Sequence, residues 1–193
     1  MSQDIQDMAN QLLTFWFRHP YVTYFKHSQL YDHSIKYFFG RWYNRQDLHY
    51  LPWDQNRHTF LCYVLILDQL PRHIYRGTPQ AYAFDRKAVQ FVQKHGPKFY
   101  SQMNPTELLF ATLPFQHSES LTDQKLGLKI LQSFIQKSHP NSPILQDALH
   151  HQKAHRDVIQ SFGRFPKRNQ YLNRRSTKSE LHYLQHADPS LPY

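Results

Sequence analysis

The sequence predicts an all-α protein that forms a single domain of eight or nine helices. Three observations predict this class. The 193 residues include 13 Tyr, 14 Phe and 3 Trp but only 5 Gly, which favours packed helices over a sheet rich in tight turns. Apolar residues recur along the chain at the spacing of a helix face. The longest apolar run, Phe60–Leu67, is apolar on every side, as expected of a buried central helix.

The N-terminal part of the chain contains the first three predicted helices. The first covers residues 4–18, ends at His19-Pro20, and has an inward face of Ile5, Met8, Ala9, Leu12, Leu13 and Trp16. Residues 21–25 are an aromatic connector. The second helix covers residues 30–42, with the inward side chains Ile35, Phe38, Phe39 and Trp42. A polar loop over residues 45–55 then leads to the central helix, predicted over residues 56–69.

The remaining helices are predicted from caps and prolines. Their expected ranges are residues 79–95, 105–113, 120–137, 143–162 and 178–186. Thr78-Pro79 and Asn104-Pro105 are typical helix starts, with a capping residue before a proline at the first helical position. Pro114 is expected to end its helix, and Gly163 is a natural C-terminal cap. The single domain is predicted to cover residues 1–186, followed by a loose tail over residues 187–193.

Composition and the N-terminal sequence indicate in which compartment of the cell the protein is found. Lys and Arg total 23 against 14 Asp and Glu, a net charge of +9 that attracts polyanions without indicating a fold. The lone Cys62 lies in an apolar run and is predicted to be a small buried side chain. The N-terminus has acids where a signal peptide has basic residues, and no apolar run approaches the roughly 20 residues of a membrane span. We therefore predict a cytoplasmic protein that does not enter a membrane.

The end of the central helix carries the first group of candidate site residues. Asp68, Gln69 and Arg72 lie beside Pro71. An acid in the last turn of a helix faces the negative end of the helix dipole, which costs about 0.3–1 kcal/mol. Asp68 should therefore have a cationic or donor partner, and Arg72 and Arg76 are the nearest candidates in the sequence. A helix-end ion pair and a base at the rim of a pocket are both consistent with this pattern.

The second group lies beside Pro114. His117 and Glu119 could act as a general acid–base pair at a helix start, a position that also attracts anions. Alternatively, Ser118 or Ser120 caps the helix and Glu119 complements its positive end. The sequence leaves both interpretations open.

The third group surrounds the Gly163–Pro166 helix end. Arg164, Lys167, Arg168, Asn169, Arg174 and Arg175 lie within a dozen positions, a density that a helix end does not require. Guanidinium groups suit carboxylates and phosphates. His155 and His151 share the inward face of the preceding helix, where a core histidine is the common outcome. Their i, i+4 spacing could hold a metal, but no acidic third ligand is near, so no metal or cofactor is predicted.

The same C-terminal third is strongly basic. Between His150 and His186 there are eight Lys or Arg residues but only two acids, Asp157 and Glu180. Interleaved with Phe165 and Tyr171, this composition is typical of a nucleic-acid face. Solvated helix ends are the commoner explanation of such a composition.

Three segments and the chain's start resemble the bacterial family catalogued as domain of unknown function 924. The segments are residues 66–85, 114–124 and 154–177, and LLTFWF at residues 12–17 is similar to the family's start. The resemblance implies a tetratricopeptide-like helical fold and no established activity. Its signature positions map onto Asp68, Gln69, Arg72, Arg76, Asp85, His117, Ser118, Glu119, His155, Gly163, Arg164, Arg168 and Asn169. His73, Lys167 and Asn173 depart from the pattern, and Lys167 replaces a His, which weakens a shared acid–base mechanism.

The favoured hypothesis is a pocket for a small anionic ligand bearing phosphate or carboxylate, with hydrolase or transferase chemistry as one outcome. The residues predicted to move a proton are His155, His117, Glu119 and Asp68. Those predicted to bind the ligand are Arg72, Arg164, Arg168, Asn169, Gln69 and Arg76. The alternatives are a tetratricopeptide-like scaffold for a protein partner, a nucleic-acid-binding module and a buried electrostatic network without a ligand.

Overall fold

The computed structural model describes residues 3–18, 28–45 and 47–186, and within these ranges the chain forms eight helices, several short 3₁₀ turns and no strand. The third helix, α3, joins Arg57–Val64, Leu65–Gln69 and Leu70–Ile74 without a break. The others are α1 (Gln3–Trp16), α2 (Gln29–Tyr43), α4 (Asp85–His95), α5 (Pro105–His117), α6 (Leu121–Lys137), α7 (Pro143–Phe162) and α8 (Lys178–His186). The all-α prediction is confirmed. The connector predicted over residues 21–25 and the tail predicted over residues 187–193 lie outside the described residues.

Helix α3 is the buried central helix that its all-round apolar sequence predicts. Every residue from Thr59 to Pro71 is buried, and an Asn56–Thr59 capping box begins the helix. The segment Leu65–Gln69 is π-helical, and the Leu70 N–H donates to the Leu65 carbonyl. π-Helical turns are rare and frequently occur at functional sites. This turn contains Asp68 and Gln69.

The helices before and after α3 pack around it. Helix α1 contacts α3 through an apolar face in which Trp16 is fully buried, 5.7 Å from the Phe110 ring of α5. Helices α5, α6 and α7 contact one another and are joined by residues 118–120 and 138–142. Gly127 allows the close approach of α6 to α5, because a Cβ there would lie 2.6 Å from the Phe115 Cβ. Short connections between mutually packed helices are compatible with a tetratricopeptide-like hairpin array.

The predicted end of α5 before Pro114 is wrong. The helix continues through Pro114 to His117, and all residues from Glu107 to His117 are buried. A proline inside a helix removes one backbone hydrogen bond and strains the preceding turn. Packing of this fully buried helix on several sides outweighs that cost. His117 is therefore the last residue of a helix instead of part of a turn.

Two further local predictions need correction. Phe38 does not point inward: it is 55% exposed, because Ile35, Phe39 and Tyr43 define the buried face of α2 and Phe38 lies beside that face. Thr78-Pro79 begins a 3₁₀ turn, Pro79–Tyr82, and the α-helix starts only at Asp85. The Thr78 hydroxyl donates to the Tyr75 carbonyl and does not cap a helix.

No helix in the described part of the chain combines the length and apolar character needed to cross a membrane.

Candidate functional site

Asp68 is fully buried in the π-helical turn, and its carboxylate is the centre of a hydrogen-bonded network. The His117 ring contacts Oδ1 through Nδ1 at 2.7 Å, and the Gln69 side-chain amide donates to Oδ2. Arg72 Nη1 donates to the Asp68 carbonyl at 2.8 Å, and Nη2 lies 3.5 Å from Oδ1. Arg72 is therefore the cationic partner that the helix dipole predicted for Asp68.

The protonation states of Asp68 and His117 follow from their burial and from the nearby charge of Arg72. Burial alone raises the pKa of Asp68, but the His117 ring and the Arg72 guanidinium hold that pKa below its ordinary value. Burial lowers the pKa of His117, and the nearby charge of Arg72 lowers it further. At neutral pH the pair is therefore an ionised Asp68 that accepts the Nδ1–H of a neutral His117.

Asp85, the first residue of α4, extends the network to the C-terminal segment. Arg72 Nη1 donates to Oδ1 of Asp85 at 2.9 Å, and Arg168 Nη1 donates to Oδ2 at 2.9 Å. One carboxylate thus holds two guanidinium groups that are far apart in the sequence. Arg168 Nη2 also donates to the His117 carbonyl at 3.0 Å, which links the network back to the end of α5.

Aromatic rings enclose the Arg168 guanidinium. Its central carbon lies 4.7 Å from the Tyr82 ring centroid and 4.5 Å from that of Phe165. The Arg72 guanidinium lies 5.8 Å from the same Tyr82 ring. Arg168 is 3% exposed, whereas the Arg72 and Asp85 side chains are 11% and 14% exposed. The network is therefore buried at Asp68, His117 and Arg168 and reaches solvent at Arg72 and Asp85.

Glu119 and Asn169 belong to a neighbouring cluster. Glu119 accepts hydrogen bonds from Arg174 at 2.7 and 2.9 Å and from the Phe165 N–H at 2.8 Å. Burial favours the neutral acid, but these donors hold the pKa of Glu119 below its ordinary value. The Asn169 side chain accepts from Arg174 Nε at 2.9 Å and donates to the Ser176 hydroxyl. These contacts fix the path of the segment that carries Arg168. Ser120, not Ser118, caps α6.

Arg164 and Arg76 lie in two other ion pairs. Arg164 donates to both carboxylate oxygens of Glu180, at 2.6 and 2.9 Å. Thr177 and Glu180 exchange the reciprocal bonds of a capping box at the start of α8. Arg76 donates to Asp32 of α2 at 2.6 and 2.9 Å, beside the His73 ring. The structure therefore places these two arginines in ion pairs with carboxylates of α8 and α2, outside the Asp68 network.

His155 packs beside the network on α7. It is buried, its Nδ1–H donates to the His151 carbonyl at 2.6 Å, and its ring meets Phe165 edge to face. Burial lowers the pKa of His155 to about 3, so the ring is neutral at physiological pH. The inward position predicted from helical spacing is confirmed. His151 is only partly buried, and no group of three or more metal-ligating side chains occurs in the described ranges.

The basic C-terminal third has less unpaired charge than its composition indicates. Within the described chain, carboxylates pair with Arg156, Arg164, Arg168 and Arg174. Lys153, Arg175 and Lys178 are exposed. Because four of the eight cations already pair with carboxylates of this chain, fewer positive charges remain to bind a polyanion.

Two residues of the network were not among the predicted site residues. Asp85 coincides with a signature position of the resemblance, but its role as a bridge depends on two arginines that only the fold brings together. Tyr82 lies in a short 3₁₀ turn, where no periodic pattern separates a stacking ring from a surface one. An acid at a helix start beside an aromatic residue was the available signal.

A separate groove lies elsewhere on the surface. It has a volume of about 920 Å³ and is lined by Phe17, residues 104–107 and residues 139–144. None of the predicted site residues lines it.

Comparisons with known proteins agree with this architecture. A family model described as "Bacterial protein of unknown function (DUF924)" matches residues 12–188. The structure is similar to that of ATU0120 from Agrobacterium tumefaciens, also a protein of unknown function. The TM-score is 0.83 and the sequence identity 28%, over 94% of this chain and 99% of that chain. No curated protein matches the sequence.

Proposed function

We propose that this chain, which belongs to the DUF924 family of bacterial proteins, binds a small anionic ligand between Arg72 and Arg168. One observation carries the proposal. The two guanidinium groups come from α3 and from the 3₁₀ turn Pro166–Arg168, yet each donates to a different oxygen of one carboxylate at 2.9 Å. Two arginines that share a carboxylate are already placed to share a ligand carboxylate or phosphate.

The chemistry of the surroundings supports an anion over a neutral ligand. Guanidinium forks match the planar oxygens of carboxylates and phosphates, and a partly buried position strengthens such bonds. The rings of Tyr82 and Phe165 lie against the Arg168 guanidinium and restrict its movement. Less conformational freedom is then lost when a ligand binds.

If the site also transfers a proton, the Asp68–His117 pair is the best placed of the candidate groups. It lies in the same hydrogen-bonded network as Arg72 and Arg168. A neutral histidine oriented by a carboxylate is a common general base. Glu119 is already engaged by Arg174 and the Phe165 amide. The low pKa of His155 makes it a poor proton carrier near neutral pH.

Thermal stability measures this binding directly. Inorganic phosphate, phosphorylated sugars and dicarboxylates should be screened against the wild type at constant ionic strength. A ligand present at 100 times its dissociation constant adds about 2.7 kcal/mol to the free energy of unfolding. For a chain of this length, that is a rise in Tm of roughly 5–10 °C.

The variant Arg168→Gln should abolish the Tm rise while retaining the helical circular dichroism. Arg156→Gln is the matched control, since it removes one arginine from the ion pair with Asp157 outside the network and should leave the rise unchanged. If no anion raises the wild-type Tm more than chloride at equal ionic strength, the network is structural and the proposal fails.

A second candidate, binding of a protein partner, is favoured by the outer face of α2. This face carries Leu30, Tyr37 and Phe38, which are 80%, 81% and 55% exposed, together with the exposed Arg41. Exposed aromatic and arginine side chains on one face are typical of interaction surfaces. Arg76 and His73 already engage Asp32, the acid on this helix, so the face suits an apolar partner helix with acidic flanks.

Site-specific photocrosslinking in cells tests the α2 face. A photoreactive phenylalanine analogue replacing Tyr37 should give a crosslinked adduct with a discrete partner. The matched control replaces Tyr50, which is 88% exposed but lies outside α2, and should give none. An adduct of twice the protein's mass would identify a second copy as the occupant. Equal crosslinking at both positions, or none at position 37, would remove this candidate.

A further inference from the structure

We infer that Asp85 is a built-in competitor for the anion site and that a ligand binds by displacing its carboxylate. This inference rests on the proposed function and adds how access to the site is controlled. The Asp85 carboxylate occupies the point at which Arg72 and Arg168 converge, with one oxygen bound to each guanidinium at 2.9 Å. A ligand carboxylate would make the same two contacts.

Charge favours displacement over addition. The two guanidiniums are already balanced by two carboxylates, Asp85 and the buried Asp68. A ligand anion that joined them without moving Asp85 would place a third negative charge beside two others in a partly buried region. Neighbouring like charges repel strongly in a partly buried region, because little water screens them there. Only Asp85 can leave, because Asp68 is fully buried and is held by His117 and Gln69.

The N-terminus of α4 would stabilise the Asp85 carboxylate after it has left the two arginines. Asp85 is the first residue of α4, and Phe84 before it makes no side-chain capping bond, so the first-turn amides have no side-chain cap. A carboxylate near the N-terminus of a helix is stabilised by the helix dipole. The side chain is already 14% exposed, and in this inference its carboxylate turns towards solvent while Asp85 remains the first residue of α4.

The surrounding backbone would not need to move. Phe84 is anchored by its ring contact with His49, with centroids 4.6 Å apart, and Ala88 is fully buried one turn into α4. The Ala81 carbonyl also accepts from Arg72 at 3.2 Å, which keeps that arginine in place when Asp85 rotates away. Arg168 is likewise retained by the His117 carbonyl and the Tyr82 ring. Both guanidinium groups would therefore keep their positions after the Asp85 carboxylate has moved away.

The variant Asp85→Asn keeps the shape of the side chain and removes its charge. Binding of inorganic phosphate and of malonate should be measured by calorimetry at constant ionic strength. We expect at least one of these anions to bind both proteins, and to bind the variant about ten times more tightly than the wild type. Asp157→Asn changes the net charge equally at an exposed ion pair and should bind like the wild type.

The other outcomes separate the two claims. If the wild type binds an anion and Asp85→Asn binds it no more tightly, the competitor role is overturned and the proposed function stands. Should neither protein bind phosphate or malonate, the competitor role is overturned, whereas the wider anion screen on the wild type decides the proposed function. Asp85→Ser, which also lacks the carboxylate, guards against a folding defect specific to Asn. If neither variant retains the wild-type circular dichroism, Asp85 is a structural ion-pair partner, and the competitor role is again overturned.

Discussion

Lowering the pH from 7 to 4 is expected to reduce the free energy of unfolding by on the order of 3 kcal/mol through His155 alone. The buried ring has a pKa of about 3 in the folded protein, against an ordinary value of 6.5. As the pH falls below 6.5, the unfolded chain binds a proton at this position and the folded protein does not. Stability is therefore fully present above pH 6.5 and is lost progressively down to pH 3.

His117 and His73, whose pKa values are also lowered by burial, add to the loss in the same direction. Thermal melts at half-unit pH intervals measure the slope, and the His155 contribution alone corresponds to a fall in Tm of roughly 6–12 °C at pH 4. His155→Phe keeps an aromatic ring against Phe165 and should flatten the slope, whereas His150→Phe at an exposed position should not. Histidine titration by NMR gives an independent check. A His155 resonance that titrates near pH 6.5 would refute the assignment.

Asp68→Ala is expected to lower the free energy of unfolding by about 3–5 kcal/mol, the cost of breaking a buried charge network by removing one partner. The substitution removes the acceptor of the His117 Nδ1–H and of the Gln69 amide and leaves the charge of Arg72 less compensated. Thermal melting at pH 7 should show a fall in Tm of roughly 6–20 °C.

The matched control for Asp68→Ala is Asp157→Ala. The Asp157 side chain is 60% exposed and pairs with Arg156 at the surface, where such pairs contribute about 0–1 kcal/mol. A double variant that also replaces His117 by Leu should recover part of the loss, since it removes the unpaired donor together with its lost acceptor. A Tm for Asp68→Ala within 2 °C of the wild type would show that the network does not stabilise the fold.

Helical periodicity was sufficient to predict most of the fold, because the spacing of apolar residues along a helix shows which face is buried. The inward faces of α1 and α7 lie where the spacing of Leu12, Trp16 and His155 places them. Errors arose where tertiary packing overrode a local signal. Pro114 breaks an isolated helix, but burial of α5 on several sides holds the helix together. The spacing of Phe38 predicts an inward side chain, yet Phe38 lies beside the buried face of α2 and is exposed.

The candidate site was predictable in its residue types but not in its pairing. Helix-dipole reasoning required a partner for Asp68, and Arg72 is that partner. Nothing in the local sequence indicates that Arg168 pairs with Asp85, or that Arg76 turns to Asp32, because these contacts span many residues and depend on how helices pack. Charge density marks a region as polar. Only the three-dimensional arrangement decides which carboxylate each arginine contacts.

The π-helical turn in α3 has a consequence for the tolerance of this chain to deletions. An i→i+5 turn contains one residue more than an α-helical turn, so deleting one residue from Leu65–Gln69 would restore a regular helix without breaking it. Because the π-turn absorbs its extra residue, the side chains on either side of the deletion would keep their orientation, and only the turn that contains Asp68 and Gln69 would change. A deletion of the same size elsewhere in α3 would instead rotate every later side chain by about 100° relative to the earlier ones. A one-residue deletion within Leu65–Gln69 is therefore expected to retain the packing of α3 and to alter only the turn that holds the buried carboxylate.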